Sequence, residues 1–182
     1  MNFEETDIKR VFKVIPRVLG DDRGGFFRFF CKKEFAAITS KQFVQMNHSI
    51  NAKKGTLRGL HYQQPPHAED KLVRCVKGKI WDVFIDLRKE SPTFLQWRSA
   101  VLSEENKEML FLPKGIAHGF ITLEDDTHVL YHHTEYYNPE SERGFRYDDQ
   151  KLKIDWPVEM SNISQRDEEH PFIADSFKGL EI

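Results

Sequence analysis

Cysteine is scarce in this 182-residue chain, which contains only Cys31 and Cys75. Two cysteines exclude a disulfide-stabilised scaffold, and their apolar or alternating surroundings predict that both pack as small hydrophobic side chains. The chain has no apolar run approaching about 18 residues, so no membrane-spanning helix is expected. Its acidic first residues lack the apolar stretch of a signal peptide, and we therefore expect a cytoplasmic protein without membrane contact.

A strong charge of either sign is also absent. The chain has 27 Lys and Arg residues against 29 Asp and Glu residues, which gives a formal net charge of -2. This balance argues against a protein that binds nucleic acid through general electrostatics, although a local basic pocket could still hold a phosphate. No repeat or linker divides the sequence, and its length predicts a single domain over residues 1–182.

Aromatic residues are plentiful, with 15 Phe, 5 Tyr and 3 Trp, and they favour a β-rich core. The clearest alternation runs through residues 79–87 and places Trp81, Val83 and Ile85 on one face of a strand. A second alternating segment covers residues 71–76, and with the turn at Lys77-Gly78 the two segments predict a β-hairpin.

Gly, Pro, Asn and Asp separate the other predicted elements at short intervals. Further strands are predicted at residues 11–16, 26–31, 43–49, 57–63, 108–113, 116–123 and 128–135, with one short helix at residues 32–38. Many short strands joined by tight turns predict an all-β fold, a sandwich or barrel of jelly-roll type with a few short helices.

The segment from Arg58 to Gln63, followed by Lys71, combines one titratable base with two cations. A neutral imidazole at His61 could remove a proton next to a carbonyl, and a cation could stabilise the oxygen on which negative charge develops. Regular pleating would direct Arg58 and His61 to opposite faces, so contact with one ligand requires a bulge near Gly59. The alternative is a strand histidine that makes only a structural hydrogen bond.

A proline turn and strand at residues 113–120 direct His118 inward, and this segment resembles the second conserved motif of the cupins. Metal-binding cupins combine that histidine with a first motif of the form His-x-His followed by Glu, but His61 is followed by Tyr, Gln and Gln. Two scattered histidines without a nearby third ligand do not make a metal site, so we predict no metal.

The adjacent residues His132 and His133 must point to opposite faces of a strand, which favours a solvated or interfacial role for this pair.

Three further side chains have both a structural and a functional interpretation. Tyr131 is either a core residue or a proton donor, because a phenol with a pKa of about 10 is protonated at neutral pH. Asp167 is either a solvated carboxylate in a polar loop or the group that accepts a hydrogen bond from His61 and fixes its tautomer. Arg23, in a Gly-rich turn, either caps a surface loop or binds a phosphate.

Together these segments resemble the dTDP-4-dehydrorhamnose 3,5-epimerase family, the nucleotide-sugar epimerases of the cupin superfamily. The resemblance extends over residues 22–24, 45–47, 57–62, 71–73, 86–88, 91–94, 113–120, 136–144 and 154–157. It implies a cupin-type jelly roll and a homodimer whose N-terminal strand joins the partner's sheet. It also implies a cofactor-free epimerase that inverts C3, C5 or both in a nucleotide-linked 4-keto-6-deoxyhexose through an enolate.

The same resemblance assigns roles to individual residues. It makes His61 the general base, Asp167 its partner, Tyr131 the acid on the opposite face of the sugar, and Lys71 the cation at the enolate oxygen. The implied substrate-binding positions are Arg23, Arg28, Gln45, Asn47, Arg58, His118, Tyr137, Glu142 and Arg166. Arg28 stands where the family has a glutamate that contacts the nucleoside. Because this exchanges an acceptor for a donor, a CDP-linked sugar is an alternative to a dTDP-linked one.

Three alternative functions stay open at this point. The nearest is a mono-epimerase that inverts only C3 or C5, and the sequence cannot separate it from a double epimerase. A second, from another class, is a cupin that binds a sugar nucleotide without catalysis. A weaker third is a metal-dependent cupin oxygenase or isomerase.

Overall fold

The computed structural model describes residues 1–182 and contains thirteen strands and two short helices. The strands are β1 (Asn2–Glu5), β2 (Phe12–Ile15), β3 (Val18–Asp21), β4 (Gly24–Phe27), β5 (Gln45–Asn51), β6 (Leu57–Gln63), β7 (Lys71–Lys77), β8 (Lys79–Asp86), β9 (Trp97–Ser103), β10 (Met109–Leu112), β11 (Ile116–Thr122), β12 (Thr127–His133) and β13 (Glu142–Gly144). The helices are α1 (Lys32–Phe35) and α2 (Gln165–Glu168). Neither helix has the length or the apolar character needed to cross a membrane.

Eleven strands form two antiparallel sheets that face each other. The six-stranded sheet has the order β1-β2-β10-β7-β12-β5, and the five-stranded sheet has the order β13-β6-β11-β8-β9. The remaining strands, β3 and β4, form a separate hairpin. This arrangement confirms the predicted all-β sandwich of jelly-roll type with a few short helices.

Hydrophobic side chains fill the space between the sheets and also cover their outer faces. Between the sheets, Val73 and Val129 of the six-stranded sheet pack with Phe84 and Phe120 of the five-stranded sheet. A second cluster packs the C-terminal segment on the outer face of the five-stranded sheet, and a third packs α1 on the outer face of the six-stranded sheet. Strand β8 is therefore buried on both faces, since its two alternating sets of apolar residues enter different clusters. Cys75 lies in the cluster between the sheets, as predicted.

The predicted hairpin of residues 71–87 is wrong. Strands β7 and β8 exist, but β7 pairs with β10 and β12, whereas β8 pairs with β9 and β11. The single residue between them, Gly78, has a φ of 72° and turns the chain from one sheet into the other. Alternation in a sequence identifies the strands but does not identify their pairing partners. Strand β9 was not predicted, and the strand expected at residues 26–31 ends at Phe27.

A bulge in β6 places Arg58 and His61 against the same cavity. His61 lies opposite His118, and Arg58 lies opposite Phe120, so β6 has one residue more than β11 between these pairs. Gly59 in the bulge has a φ of 122°, and a Cβ atom there would lie 2.5 Å from the Cα of Gly119. The bulge predicted near Gly59 is therefore confirmed, and only glycine fits it.

We expect Gly59→Ala to destabilise the protein more than a matched glycine substitution. Gly24 has a similar φ of 127°, but no atom lies within 4 Å of the position that a Cβ atom would occupy there. Gly24→Ala should therefore cost only the backbone strain of about 1–2 kcal/mol. Gly59→Ala should cost about 1–3 kcal/mol more, because the added methyl group overlaps backbone atoms. Chemical denaturation of both variants measures the difference, and equal free energies of unfolding would contradict the close approach at Gly59.

Candidate active site

The two sheets enclose a cavity of about 340 Å³. The cavity is lined by Asn47, His48, Ser49, Arg58, His61, Tyr62, Gln63, Glu69, Lys71, His118, Gly119, Phe120, Tyr131, His133, Tyr137, Glu142 and Arg166. His61 and His118 come from the five-stranded sheet, whereas Lys71 and Tyr131 come from the six-stranded sheet. The fold thus brings the candidate base and the candidate acid to one cavity from opposite sides.

Asp167 holds both the bulge and the candidate base. Its Oδ1 lies 2.7 Å from His61 Nε2, and its Oδ2 accepts a hydrogen bond of 3.2 Å from the Gly59 backbone N–H. Burial raises the pKa of Asp167, but the hydrogen bond from His61, the Gly59 N–H and the charge of Arg166 outweigh it and lower the pKa below its usual value. An ionised Asp167 accepts a hydrogen bond from the Nε2–H of His61, so Nδ1 of His61 keeps the lone pair of a base.

A second group of charges surrounds Lys71. Glu69 Oε1 lies 3.3 Å from Lys71 Nζ, and Glu69 Oε2 lies 2.8 Å from His133 Nδ1. Burial raises the pKa of Glu69, but His133 and Lys71 together lower it, so the carboxylate is ionised. Lys71 is therefore a buried cation held in place by a buried anion, and it is suited to stabilise an oxyanion in the cavity.

Sequence reasoning missed Glu69 and misjudged the histidine pair. Glu69 and Lys71 are two residues apart at the start of a strand, and this spacing could have indicated a shared face. His132 and His133 do point to opposite sides, but the solvated or interfacial role predicted for them is wrong. His132 packs between Phe29 and Phe43, and His133 lines the cavity.

Tyr131 faces the cavity between two aromatic neighbours. Its ring centroid lies 6.1 Å from that of His118 and 6.3 Å from that of Phe120. Burial raises the pKa of the Tyr131 phenol above its usual value. The hydroxyl group is therefore protonated at neutral pH and can act as a proton donor.

Asp82 is a buried acid beside His118, and sequence reasoning assigned it only a place in the alternation. Its Oδ2 lies 3.3 Å from His118 Nδ1, and its Oδ1 has no hydrogen-bond partner. Burial raises the pKa of Asp82. Burial and the nearby charge of Lys71 lower the pKa of His118. These shifts favour the neutral form of both groups, in which the Asp82 hydroxyl group donates to Nδ1 and the Nε2–H of His118 stays a donor.

Three of the predicted substrate-binding residues form a network at the mouth of the cavity. The Tyr137 hydroxyl group donates a hydrogen bond of 2.8 Å to Glu142 Oε2, and Arg166 donates one of 3.0 Å to the same oxygen. Gln45 is outside the cavity lining, but its Oε1 accepts a hydrogen bond of 3.0 Å from the Tyr137 backbone N–H. Arg58, on the opposite wall, is fixed by a hydrogen bond of 2.7 Å from its Nε to Asn51.

Two predicted substrate-binding residues lie apart from the cavity of this chain. Arg23, in the turn of the β3–β4 hairpin, forms an ion pair with Asp21. Arg28 follows the hairpin and forms an ion pair of 2.6 Å with Glu34. The hairpin belongs to neither sheet, so it does not bring these side chains to the residues that line the cavity.

A larger cavity, of about 730 Å³, contains none of the candidate catalytic residues. Its lining includes Lys9, Arg10, Lys41, Lys114 and Asp70. The buried Asp70 carboxylate accepts hydrogen bonds from the Thr39 hydroxyl group at 2.8 Å and from the Lys114 backbone N–H at 3.0 Å. This cavity is basic, and it contains neither a histidine nor a tyrosine for proton transfer.

We expect Asp82→Asn to preserve most of the activity and Asp82→Leu to destabilise the fold. An asparagine amide can still donate to His118 Nδ1, so kcat/KM should stay within about 10-fold of the wild-type value. Leucine leaves that nitrogen buried without a donor, which should cost about 1–3 kcal/mol of stability. Steady-state kinetics and chemical denaturation of both variants measure these effects. Complete inactivity of a folded Asp82→Asn variant would show that Asp82 must be ionised.

Comparison with known proteins identifies relatives along nearly the whole chain. The sequence model of the dTDP-4-dehydrorhamnose 3,5-epimerase family matches residues 5–175. The chain is 42% identical over 184 aligned residues to dTDP-4-dehydrorhamnose 3,5-epimerase of Escherichia coli strain K12, an alignment that covers 100% of this chain and 99% of the relative.

Solved structures of relatives have the same fold. A structure of the Bacillus anthracis enzyme with TDP and PPi bound superposes with a TM-score of 0.92 at 42% identity and covers 94% of this chain and 99% of that one. The Legionella pneumophila enzyme, in complex with dTDP-4-keto-L-rhamnose, gives a TM-score of 0.89 at 40% identity, with 94% and 92% of the two chains covered. The chain belongs to the dTDP-4-dehydrorhamnose 3,5-epimerase family, whose members are isomerases with a cupin-type fold.

Proposed function

We propose that this protein inverts both C3 and C5 of a dTDP-linked 4-keto-6-deoxyhexose without a cofactor. The observation that carries the proposal is the position of three groups around one cavity. His61, oriented by Asp167, lines the cavity from one sheet. Tyr131 and the buried Lys71 line it from the facing sheet. A base, an acid and a cation in this arrangement are what inversion next to a carbonyl requires.

The reaction follows from the acidity of the carbons beside the C4 carbonyl. His61 removes the proton from C3 or C5, and the electron pair delocalises onto the C4 oxygen as an enolate. Lys71 holds that oxygen, and Tyr131 returns a proton to the opposite face. Although burial raises the pKa of Tyr131, a phenol is still a much stronger acid than a ketone C–H bond.

Each of these catalytic roles has an expected contribution to the reaction rate. A positioned base contributes about 10²–10⁴-fold to the rate. A preorganised donor at a developing oxyanion contributes about 3–4 kcal/mol. His61 and Lys71 are therefore each expected to be important for kcat, whereas the residues at the mouth of the cavity should affect substrate affinity more strongly.

We propose thymidine diphosphate as the carrier of the sugar. Two relatives are described with TDP or with a dTDP-linked keto sugar bound, and these share about 40% identity with this chain. Arg28 is the basis for the CDP-linked alternative, but its guanidinium already forms an ion pair with Glu34. Tyr137, half-exposed at the mouth, offers an aromatic surface for a base, and Arg58 offers a cation for the diphosphate.

The reaction can be followed by solvent deuterium that enters dTDP-4-keto-6-deoxyglucose in D2O. We expect label at both C3 and C5 with the wild-type protein. His61→Asn should abolish exchange, since it removes the base, and Lys71→Met should lower kcat by about 10²–10³-fold. Tyr131→Phe should keep exchange but lose inversion, because His61 can return the proton only to the face from which it came. NMR of the sugar measures position and configuration together.

Matched variants separate these effects from general damage. His128→Asn, Lys114→Met and Tyr136→Phe remove the same side-chain types outside the candidate catalytic set and should leave exchange unchanged. Label at a single carbon would contradict the double epimerase and indicate a mono-epimerase. Absence of exchange together with ligand-dependent thermal stabilisation would indicate a binding protein without catalysis.

We also propose that the protein acts as a homodimer, with the β3–β4 hairpin covering the partner. Leu19 is 55% exposed and Phe26 is 73% exposed on this hairpin, and Met46 is 72% exposed on the edge strand β5. Apolar side chains this exposed are typical of interfaces. Such a contact would bring Arg23 and Arg28 toward the partner's cavity, which would reconcile their expected role with their position. β1 pairs with β2 of its own chain and forms an edge of the six-stranded sheet, so the pairing of the N-terminal strand with a partner stays a prediction. A cytoplasmic location stays a prediction.

Light scattering coupled to size-exclusion chromatography tests the dimer. The wild-type protein should have twice the chain mass of 21.5 kDa. Phe26→Glu should shift the mass toward one chain and raise KM, because it places a charge in the interface and withdraws the two arginines. Phe172→Glu changes an exposed apolar residue elsewhere and should have no effect on mass. A wild-type mass of one chain would contradict the proposal.

A further inference from the structure

His170 is a buried imidazole beside the catalytic pair that the proposed reaction does not use. Its side chain is 14% exposed, and its Nε2 has no hydrogen-bond partner. A Cβ atom at residue 144 would lie 2.3 Å from this nitrogen, so Gly144 is the residue that leaves room for the ring. An unpaired buried nitrogen costs stability, and such a group in a native fold requires an explanation.

The unpaired nitrogen lies near the carboxylate that already holds His61. His170 Nε2 lies 3.7 Å from Asp167 Oδ1, and His61 Nε2 lies 2.7 Å from the same oxygen. The three ligand atoms lie within 4.8 Å of one another. The two rings meet edge to face, with centroids 5.5 Å apart and an angle of 76° between the planes. Two imidazole nitrogens and one carboxylate oxygen therefore lie close together in one cluster.

We propose that His61, Asp167 and His170 bind a divalent transition-metal ion of the zinc type, and that its binding inhibits the enzyme. Zinc forms bonds of about 2.0–2.2 Å to nitrogen and oxygen, so two of its ligand atoms lie at most about 4 Å apart. The two distances to Asp167 Oδ1, 2.7 Å and 3.7 Å, already satisfy this limit. Mg²⁺ and Ca²⁺ prefer all-oxygen sites, so this ligand set favours Zn²⁺ or a similar ion.

The charge state of the three ligands suits a cation. Asp167 is ionised, as its lowered pKa shows. Coordination by His170 requires the neutral form of its imidazole. Neutral imidazole and ionised carboxylate are the forms that bind a metal ion.

Arg166 opposes the metal and limits its affinity. Its guanidinium lies 3.4 Å from His61 Nε2 and 3.6 Å from Asp167 Oδ1. The side chain is 56% exposed and already contacts Glu142 at 3.0 Å, so it can move away toward that partner. The repulsion is therefore partly screened by solvent, and a bound ion would shift Arg166 toward the mouth of the cavity.

Inhibition follows from the nitrogen that the ion occupies. A neutral imidazole has one lone pair, so a metal ion on Nε2 of His61 leaves the ring proton on Nδ1. Nδ1 then has no lone pair with which to accept a proton from the sugar. The inhibitory effect rests on the proposed function, in which His61 is the base. The binding itself does not depend on that function and can be measured separately.

The test uses Co²⁺ as a spectroscopic substitute for Zn²⁺ with chelator-treated, full-length protein. We expect one Co²⁺ per chain with visible absorption bands, displacement of Co²⁺ by Zn²⁺, and reversal by EDTA. His170→Phe keeps a ring in the space beside Gly144 but removes the ligand, and it should weaken Zn²⁺ binding in calorimetry by at least about 10-fold. His170→Gln serves as a second variant if the phenylalanine variant does not fold. His128→Asn removes the exposed histidine that pairs with His48 and should bind the ion as the wild type does.

The outcomes separate the metal site from the proposed function. Equal Zn²⁺ affinity in wild type and a folded His170 variant would overturn the site, as would the absence of stoichiometric Co²⁺ binding. Zn²⁺ should inhibit deuterium exchange in the wild type and in His128→Asn. The His170 variants should need much higher Zn²⁺ concentrations for the same inhibition. The exchange rate of each protein is compared with its own metal-free rate. Binding without inhibition would overturn the inhibitory effect. Absence of exchange in metal-free wild type would instead count against the proposed function, with the Co²⁺ spectrum unaffected.

Discussion

The Asp167 carboxylate is the contact on which the candidate active site depends, because one oxygen holds the His61 imidazole and the other holds the Gly59 backbone N–H. The first contact sets the tautomer of the base. The second fixes the bulge that turns Arg58 and His61 toward the same side. The Asp167 carboxylate, which is distant from β6 in the sequence, therefore determines both the tautomer of His61 and the bulged conformation of β6. Ser164 supports it by accepting a hydrogen bond from the Asp167 backbone N–H at the start of α2.

Buried polar groups in the cavity occur in pairs, and this pairing limits their cost. Lys71 has Glu69, His133 shares that carboxylate, and His118 has Asp82. A buried polar group without a partner costs about 1–3 kcal/mol, and a charged one costs more. The apolar cluster between the sheets supplies the dry surroundings in which such pairs are strong. His170 Nε2 and Asp82 Oδ1 have no hydrogen-bond partner, and of the two only His170 Nε2 lies beside the His61–Asp167 pair.

Much of the fold could be predicted from local patterns, and the errors concern long-range pairing. Period-two alternation located β7 and β8, and the turn residues around them located β6, β11 and β12. Which strands pair depends on distant contacts, so the change of sheet at Gly78 was missed. His61, Lys71 and Tyr131 could be selected from local chemistry and family resemblance. The roles of Glu69 and Asp82 are harder to predict, because they depend on His133 and His118, which lie on strands distant from them in the sequence.

Because the base and the acid come from different layers, the packing between the sheets has a stereochemical consequence. The rings of Phe84 and Phe120, together with the valines facing them, set how far apart the two layers stand. In the proposed mechanism, that separation determines whether one sugar ring can be reached from above and below at the same time. The thickness of the hydrophobic interior would then govern the handedness of the product as well as the stability of the fold.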